Sequence, residues 1–107
     1  MKADPQPGEV YFVDLGMAGK PRFVLVVSVR DTAAPLALVT ALSLTSQYHG
    51  TAYEVTLPRV PWLREQSYAN AQSVQPFKII ELGRLQGRFE SSIVAGARQT
   101  LRRWLGL

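Results

Sequence analysis

The run Phe23-Val24-Leu25-Val26-Val27-Ser28-Val29 constrains this chain more than any other stretch. It is nearly all apolar and mostly β-branched, the composition of a strand buried on both faces. It is too short to span a bilayer, which takes about 20 apolar residues. A chain built round such a strand needs an apolar layer above it and another below. Arg22 opens the run, where a polar loop meets the buried strand. Its guanidinium is either free to meet a ligand or held in a rim ion pair.

With 107 residues the chain is expected to form one domain, 1–107, with a flexible segment over 1–6. Hydrophobic residues make up 47% of it and charged residues 19%, which supports a core and excludes a disordered chain. With no cysteine, disulfides and thiolate metal sites are excluded. Met1 to Gly8 is polar, with no basic-then-apolar leader pattern, so a cytoplasmic protein is expected. The net charge of +4 favours an anionic partner, nucleic acid or an acidic polypeptide.

Taken in order, Glu9 to Leu15 reads as a first strand, started by Pro7-Gly8. Gly16 to Pro21 is a short loop, and the buried strand follows. Asp31 to Pro35 is a polar turn and Pro35 to Leu44 a third strand. Thr51 to Leu57 reads as a fourth, with Tyr53, Val55 and Leu57 on one face. Pro58 to Arg64 is a loop or a single helical turn. Ser67 to Val74 alternates with period two, which would point Tyr68, Asn70 and Gln72 one way. Lys78 to Leu85 holds a short strand or turn. At the end, Ile93, Val94, Ala97, Leu101, Trp104 and Leu105 fall on one stripe of a helix that Gly106 stops. Arg98, Arg102 and Arg103 lie outside that stripe. The sum is a mainly β (α+β) chain: five or six short strands in a small, curled, mostly antiparallel sheet, with a C-terminal amphipathic helix covering an open side.

The chain has no Gly-rich phosphate loop, no Gly-x-Ser-x-Gly and a single histidine, His49. A kinase, a serine hydrolase with an ordinary triad and a metalloenzyme are disfavoured. What remains is a polar set: Arg22, Thr45, Ser46, Gln47, His49, Asn70 and Gln72. Each has a structural reading of its own. Thr45-Ser46 can form a turn, His49 can be a solvated loop residue, and Asn70 and Gln72 can satisfy backbone at a sheet edge. Together, an arginine, two hydroxyls and two carboxamides suit a phosphate and a base edge.

Several segments, in order, resemble the MazF/PemK family of toxins from bacterial toxin–antitoxin pairs. They are Pro7-Gly8-Glu9-Val10-Tyr11-Phe12-Val13-Asp14-Leu15, Arg22 through Ser28, Leu44-Thr45-Ser46, Tyr53-Glu54-Val55, Asn70-Ala71-Gln72, Gly83-Arg84-Leu85 and the terminal Leu105-Gly106-Leu107. Three features depart from the family pattern. The Gly16–Pro21 loop is short, Phe23 stands where a proline commonly follows the arginine, and Ser43-Leu44 precede Thr45.

The resemblance implies an SH3-like small β-barrel, a homodimer, and cleavage of single-stranded RNA to a 2′,3′-cyclic phosphate without metal or other cofactor. It implies that Arg22 and Thr45 are the catalytic pair. Ser28, Asn70 and Gln72 match family positions as substrate contacts, and Ser46, Gln47, Tyr48 and His49 are further candidates for that role. Unpaired bases would stack on Tyr48 or Tyr68. A cognate acidic antitoxin is expected to meet Arg84, Arg88 and the helix arginines, and Trp62 and Trp104 to leave an apolar patch for the dimer. Two other readings share the barrel: a gyrase-poisoning toxin acting through the C-terminal helix, and a catalytically silent antitoxin-binding barrel.

Overall fold

The computed structural model describes residues 4–14, 16 and 20–107. Its strands are β1 (Glu9–Val13), β2 (Arg22–Val26), β3 (Leu38–Thr45), β4 (Glu54–Thr56), β5 (Tyr68–Asn70), β6 (Gln75–Lys78) and β7 (Leu85–Arg88), followed by the helix α1 (Ser91–Leu105). They form one antiparallel sheet in the order β4-β5-β3-β2-β1-β7, with β6 paired to β3 beside β5. Among the described residues no pairing joins β4 to β7, so the sheet stays open and the expected barrel is not closed. α1 lies over β4 and the 3-10 turn Ala71–Ser73.

β2 sits inside the sheet and feeds a core on each face. Leu25 and Val27 pack with Val10, Leu42, Leu57, Leu63, Ala69, Phe89 and Ala97. Val24 and Val26 pack with Tyr11, Val13, Val39, Ala41 and Phe77 on the other side. That is the two-sided burial its unbroken apolar run demands. Each such side chain contributes about 1.5–3 kcal/mol when fully buried. Tyr11, at 4% exposure, shows the cost of a polar tip in this layer. Its hydroxyl donates to Glu9 Oε1 at 3.0 Å. Burial first, and the Glu9 carboxylate second, push the phenol up to about 12.

The strand ends differ from the sequence expectation for local reasons. β2 stops at Val26 because Val27 and Ser28 both donate to one acceptor, the Thr40 carbonyl, at 3.0 and 3.3 Å, and Val29 turns out to 71% exposure. β3 starts at Leu38, not Pro35, after the Asp31 carboxylate and carbonyl have bound the N–H groups of Ala33 and Ala34. The period-two reading of Ser67–Val74 fails at Asn70. The Asn70 Oδ1 accepts the Gln72 N–H at 2.8 Å, and the chain turns into the 3-10 segment. Two strands went unread. β6 carries Pro76 and buries Phe77 alone, so it has no apolar run, and its proline is tolerated beside a ladder edge. β7, Leu85-Gln86-Gly87-Arg88, has no β-branched residue at all. Lys78–Leu85 itself holds the 3-10 turn Ile79–Glu81 between them.

α1 ends as read, at a left-handed Gly106 whose N–H returns to the last turn. Its stripe is only partly covered. Val94 and Ala97 are buried and Ile93 and Leu101 half-buried, while Trp104 and Leu105 stay 42% and 52% exposed. Arg98 is not on the open face: half-buried, it donates through Nε to the Val27 carbonyl at 2.8 Å and ties the helix to the sheet. Trp62 is no surface patch either, since it packs at 5.0 Å on Phe89. Near the start, Pro5 is buried, the Gln6 N–H donates to Glu9 Oε1 at 2.6 Å, and Asp4 pairs with Arg30. Half of the loop after β1, Leu15 and 17–19, lies outside the described residues.

Candidate active site

The sheet register brings the candidate residues together. β2 and β3 pair through Val24↔Ser43, Leu25↔Leu42 and Val26↔Ala41. The pairing ends at Val24↔Ser43, and Arg22 and Thr45 each lie two residues beyond it, at the adjoining ends of β2 and β3. On the far side of β3, Thr45 pairs with Tyr68, and Tyr68 pairs with Thr56. Residues directly opposite in an antiparallel pair share a face. Thr45, Tyr68 and Thr56 therefore form a transverse polar row on one face, and strand alternation gives Arg22, at the start of β2, the face of Val24 and its partner Ser43, which is that of Thr45.

Arg22 is exposed, and Nε reaches the Lys20 carbonyl at 3.4 Å. No carboxylate pairs with it among the described residues, so the rim ion-pair reading is not what the structure holds. Thr45 is half-buried, and its Oγ1 accepts the Gln47 N–H at 3.1 Å. That bond makes the expected local turn and also fixes the hydroxyl. A threonine oxygen that is already accepting still has its own O–H to donate. Tyr48, 55% exposed, stacks on Tyr68 with ring centroids 4.6 Å apart and planes 18° from parallel. The two rings occupy each other, so Tyr48 offers a single open face.

The loop after Thr45 is tied down by Glu54. Its carboxylate accepts the His49 N–H at 2.8 Å, and the Thr51 N–H and hydroxyl at 2.8 Å each. The His49 bond is the main reason the Glu54 carboxyl lies below the usual carboxylate range, with Thr51 adding to it. Ser46, Gln47 and His49 are all exposed on this loop. Asn70 sits beside Glu54 on β5, its carbonyl oxygen spent on Gln72, and Gln72 is exposed on the following turn. Ser28 is not brought to this cluster. It lies at the other end of β2, about 20 Å from Arg22 at the strand rise, where its Oγ accepts the Thr40 N–H at 2.9 Å.

Beside Thr45 opens a cleft of about 440 Å³ walled by Phe23, Leu44, Trp62 and Leu63, with Ser46, Arg64, Glu65, Ser67 and Gln86 around it. The sequence reading missed all but Thr45 and Ser46 of this set as site residues. The one available signal was Gly87, which permits the close approach of Trp62: a Cβ there would stand 2.3 Å from the indole Cε2.

A family model described as PemK-like, MazF-like toxin of type II toxin–antitoxin system matches residues 6–105. The chain belongs to that family. The match takes in every strand and the helix, and so the whole polar row of this PemK/MazF chain. Among solved structures, an endoribonuclease in complex with its cognate antitoxin from a mycobacterial species is 27% identical, with a TM-score of 0.82 and 96% of each chain covered. An endoribonuclease from a mycobacterial species is 25% identical, with a TM-score of 0.81 and 99% of this chain and 95% of that one covered. MazF in a MazE–MazF crystal from Deinococcus radiodurans, 22% identical, superposes with a TM-score of 0.81 over 98% of each chain and is similar in fold. No curated protein sequence matches this one.

Proposed function

We propose that this toxin is an endoribonuclease that cleaves single-stranded RNA in the cytoplasm, without a metal ion, through Arg22 and Thr45. The observation that carries the reading is the placement of an arginine, without an ion pair among the described residues, at the strand end that adjoins the one bearing a hydroxyl whose acceptor side is already bound. The RNA 2′-oxygen attacks the adjacent phosphorus, the bond from phosphorus to the 5′-oxygen breaks, and a 2′,3′-cyclic phosphate remains. The 2′-hydroxyl proton passes to solvent water, and the departing 5′-oxygen takes a proton from solvent water. Charge grows on the phosphoryl oxygens meanwhile. Arg22 meets it with a planar fork suited to phosphate, and Thr45 donates its O–H to it. Their part is electrostatic: each donates hydrogen bonds to the phosphoryl oxygens. An unpaired base stacks on the open face of Tyr48, with Ser46, Gln47, His49, Asn70 and Gln72 about it. Both mycobacterial neighbours are endoribonucleases, which favours cleavage over gyrase binding or a silent barrel. Incubation with single-stranded RNA in EDTA, followed by end-group analysis, tests the reading. Intact RNA, or cuts lacking a cyclic phosphate, would overturn it.

The toxin is also proposed to act as a homodimer. Val29, Leu36, Leu38 and Ile80, exposed by 71, 66, 42 and 80%, border one cleft of about 430 Å³. This is the apolar surface that a second copy would bury. Light scattering at micromolar concentration is expected to give a dimer mass. Ile80→Asp, which touches little in the monomer, is expected to give a folded monomer. A monomeric parent protein would count against the dimer.

The proposed partner is a cognate antitoxin, since the 27% identical mycobacterial endoribonuclease is bound to its own, and the charge of this chain calls for an acidic one. Arg84, Arg88, Arg102 and Arg103 are all exposed and give an acidic segment its charge complement. The same charge draws RNA, so the two are expected to compete. The acidic product of an adjacent small gene should bind the toxin and suppress RNA cleavage, with an association rate that falls as salt rises. Tight binding with undiminished cleavage would reject the antitoxin assignment and leave the nuclease standing.

A further inference from the structure

We infer that Glu54 is a positioning residue for RNA, its carboxylate holding the loop 46–51 in place so that the open face of Tyr48 is ready for an unpaired base; this rests on the RNA-cleaving assignment of Arg22 and Thr45. The strand registers set its place. Glu54 lies opposite Asn70, and Thr56 lies opposite Tyr68, which on its other side is opposite Thr45. Alternate residues of a strand share a face, so Glu54 is on the face of Thr45 and Tyr68. Tyr53 belongs to the other face, where its ring meets Trp104 of α1 at 5.5 Å. An acidic residue thus stands on the surface assigned to an anionic chain.

A carboxylate there repels phosphate, and its bonds explain its presence. Oε2 accepts the His49 N–H at 2.8 Å, and Oε1 accepts the Thr51 N–H and the Thr51 hydroxyl at 2.8 Å each. Bonds to an ionised acceptor are the stronger kind. Among the described residues the His49 and Thr51 amides have no other acceptor. Gly50, between them, takes a left-handed φ of 70°, which lets both amides turn toward one anion. The Thr51 hydroxyl also accepts the Tyr53 N–H at 3.3 Å, so the loop is bound where it enters β4. At its start, Thr45 Oγ1 holds the Gln47 N–H. Tyr48 lies between these two fixed points, with one ring face on Tyr68 and the other open.

Glu54 therefore acts on RNA in two opposed ways. Its charge repels the chain, but these bonds are at the surface, where salt screens that repulsion. Its bonds order the loop before RNA arrives, and the cost of ordering then does not fall on binding. The second effect outweighs the first. Removing the charge while keeping the shape should weaken RNA binding, the reverse of what electrostatics alone would give. The loss should be roughly 10-fold, the scale of one base–aromatic stack. The chemistry should be spared, because Arg22 and Thr45 are held on β2 and β3 and not on the loop.

The test compares the parent protein with two variants. Glu54→Gln keeps the size and turns an N–H group toward the donors of the loop. Thr51→Val removes one bond and leaves the carboxylate in place. Binding is measured by fluorescence anisotropy on a single-stranded oligonucleotide with 2′-O-methyl riboses, which cannot be cleaved by 2′-attack. The single-turnover rate at saturating RNA is measured in parallel, and amide order parameters over residues 46–51 report the loop. Glu54→Gln should bind roughly 10-fold more weakly and cleave at saturation within about 3-fold of the parent. Thr51→Val should bind about 3-fold more weakly, the scale of one hydrogen bond. In both, the order parameters of the loop should fall from about 0.85 toward about 0.6. Unchanged or tighter binding by either folded variant, or weaker binding with a loop as rigid as the parent's, would overturn the inference. A parent protein that binds the oligonucleotide, loses affinity in both variants and cuts no RNA would overturn the nuclease reading and leave the role of Glu54 in place.

Discussion

Arg22→Ala is expected to lower RNA cleavage about 10²–10³-fold, the usual consequence of removing one donor to a developing oxyanion. The fold should survive. Arg22 is exposed at the first position of β2, among the described residues its only side-chain bond is a 3.4 Å contact to Lys20, and the buried layer begins at Val24. Surface changes of this kind usually alter stability by less than about 0.5 kcal/mol. The loss should therefore appear in the single-turnover rate at saturating RNA, with the melting temperature unmoved. Arg22→Lys separates charge from shape. A lysine restores a point charge and not the two-pronged donor, so it should recover only part of the rate. The assignment of Arg22 falls if a folded Arg22→Ala protein cleaves like its parent.

The reach of the sequence followed the physics of each element. β2 was legible because two-sided burial leaves an unbroken apolar run, and α1 because one-sided burial leaves a stripe with a glycine stop. β6 and β7 were not, since an edge strand that buries one residue or none leaves no periodic mark. Their places are set by partners far along the chain, β3 and β1. The same division runs through the site. Arg22 and Thr45 could be named from the resemblance, and only the β2–β3 pairing brings their strand ends side by side. Ser28 matched just as well in sequence, yet strand geometry carries it to the far end. The Tyr48–Tyr68 stack turns two expected base platforms into one. The cleft was illegible altogether. It depends on a bulge at Gln86 and on an indole lodged against a glycine, contacts between segments that are 24 or more residues apart in Trp62 and Gln86 alone.

That indole carries the second large effect. Gly87→Ala is expected to destabilise the protein by about 2 kcal/mol, in the range of overpacked cores. The added Cβ would stand 2.3, 2.5 and 2.7 Å from Trp62 Cε2, Cδ2 and Cζ2, so it meets the rigid centre of the ring rather than a flexible end. Trp62 cannot simply retreat. Phe89 backs it at 5.0 Å, and the Gln86 amide holds its carbonyl. Backbone strain is not the cause, because Gly87 has no positive φ. For a domain of this size the loss corresponds to a melting temperature lowered by roughly 8–10 °C. A double-mutant cycle isolates the contact. Trp62→Leu removes the ring, and in that background Gly87→Ala should be neutral or stabilising, since alanine loses less chain entropy than glycine on folding. A change of sign between the two backgrounds is the expected result. Equal costs in both would mean that Gly87 is required by β7 itself and that Trp62 does not rest on it.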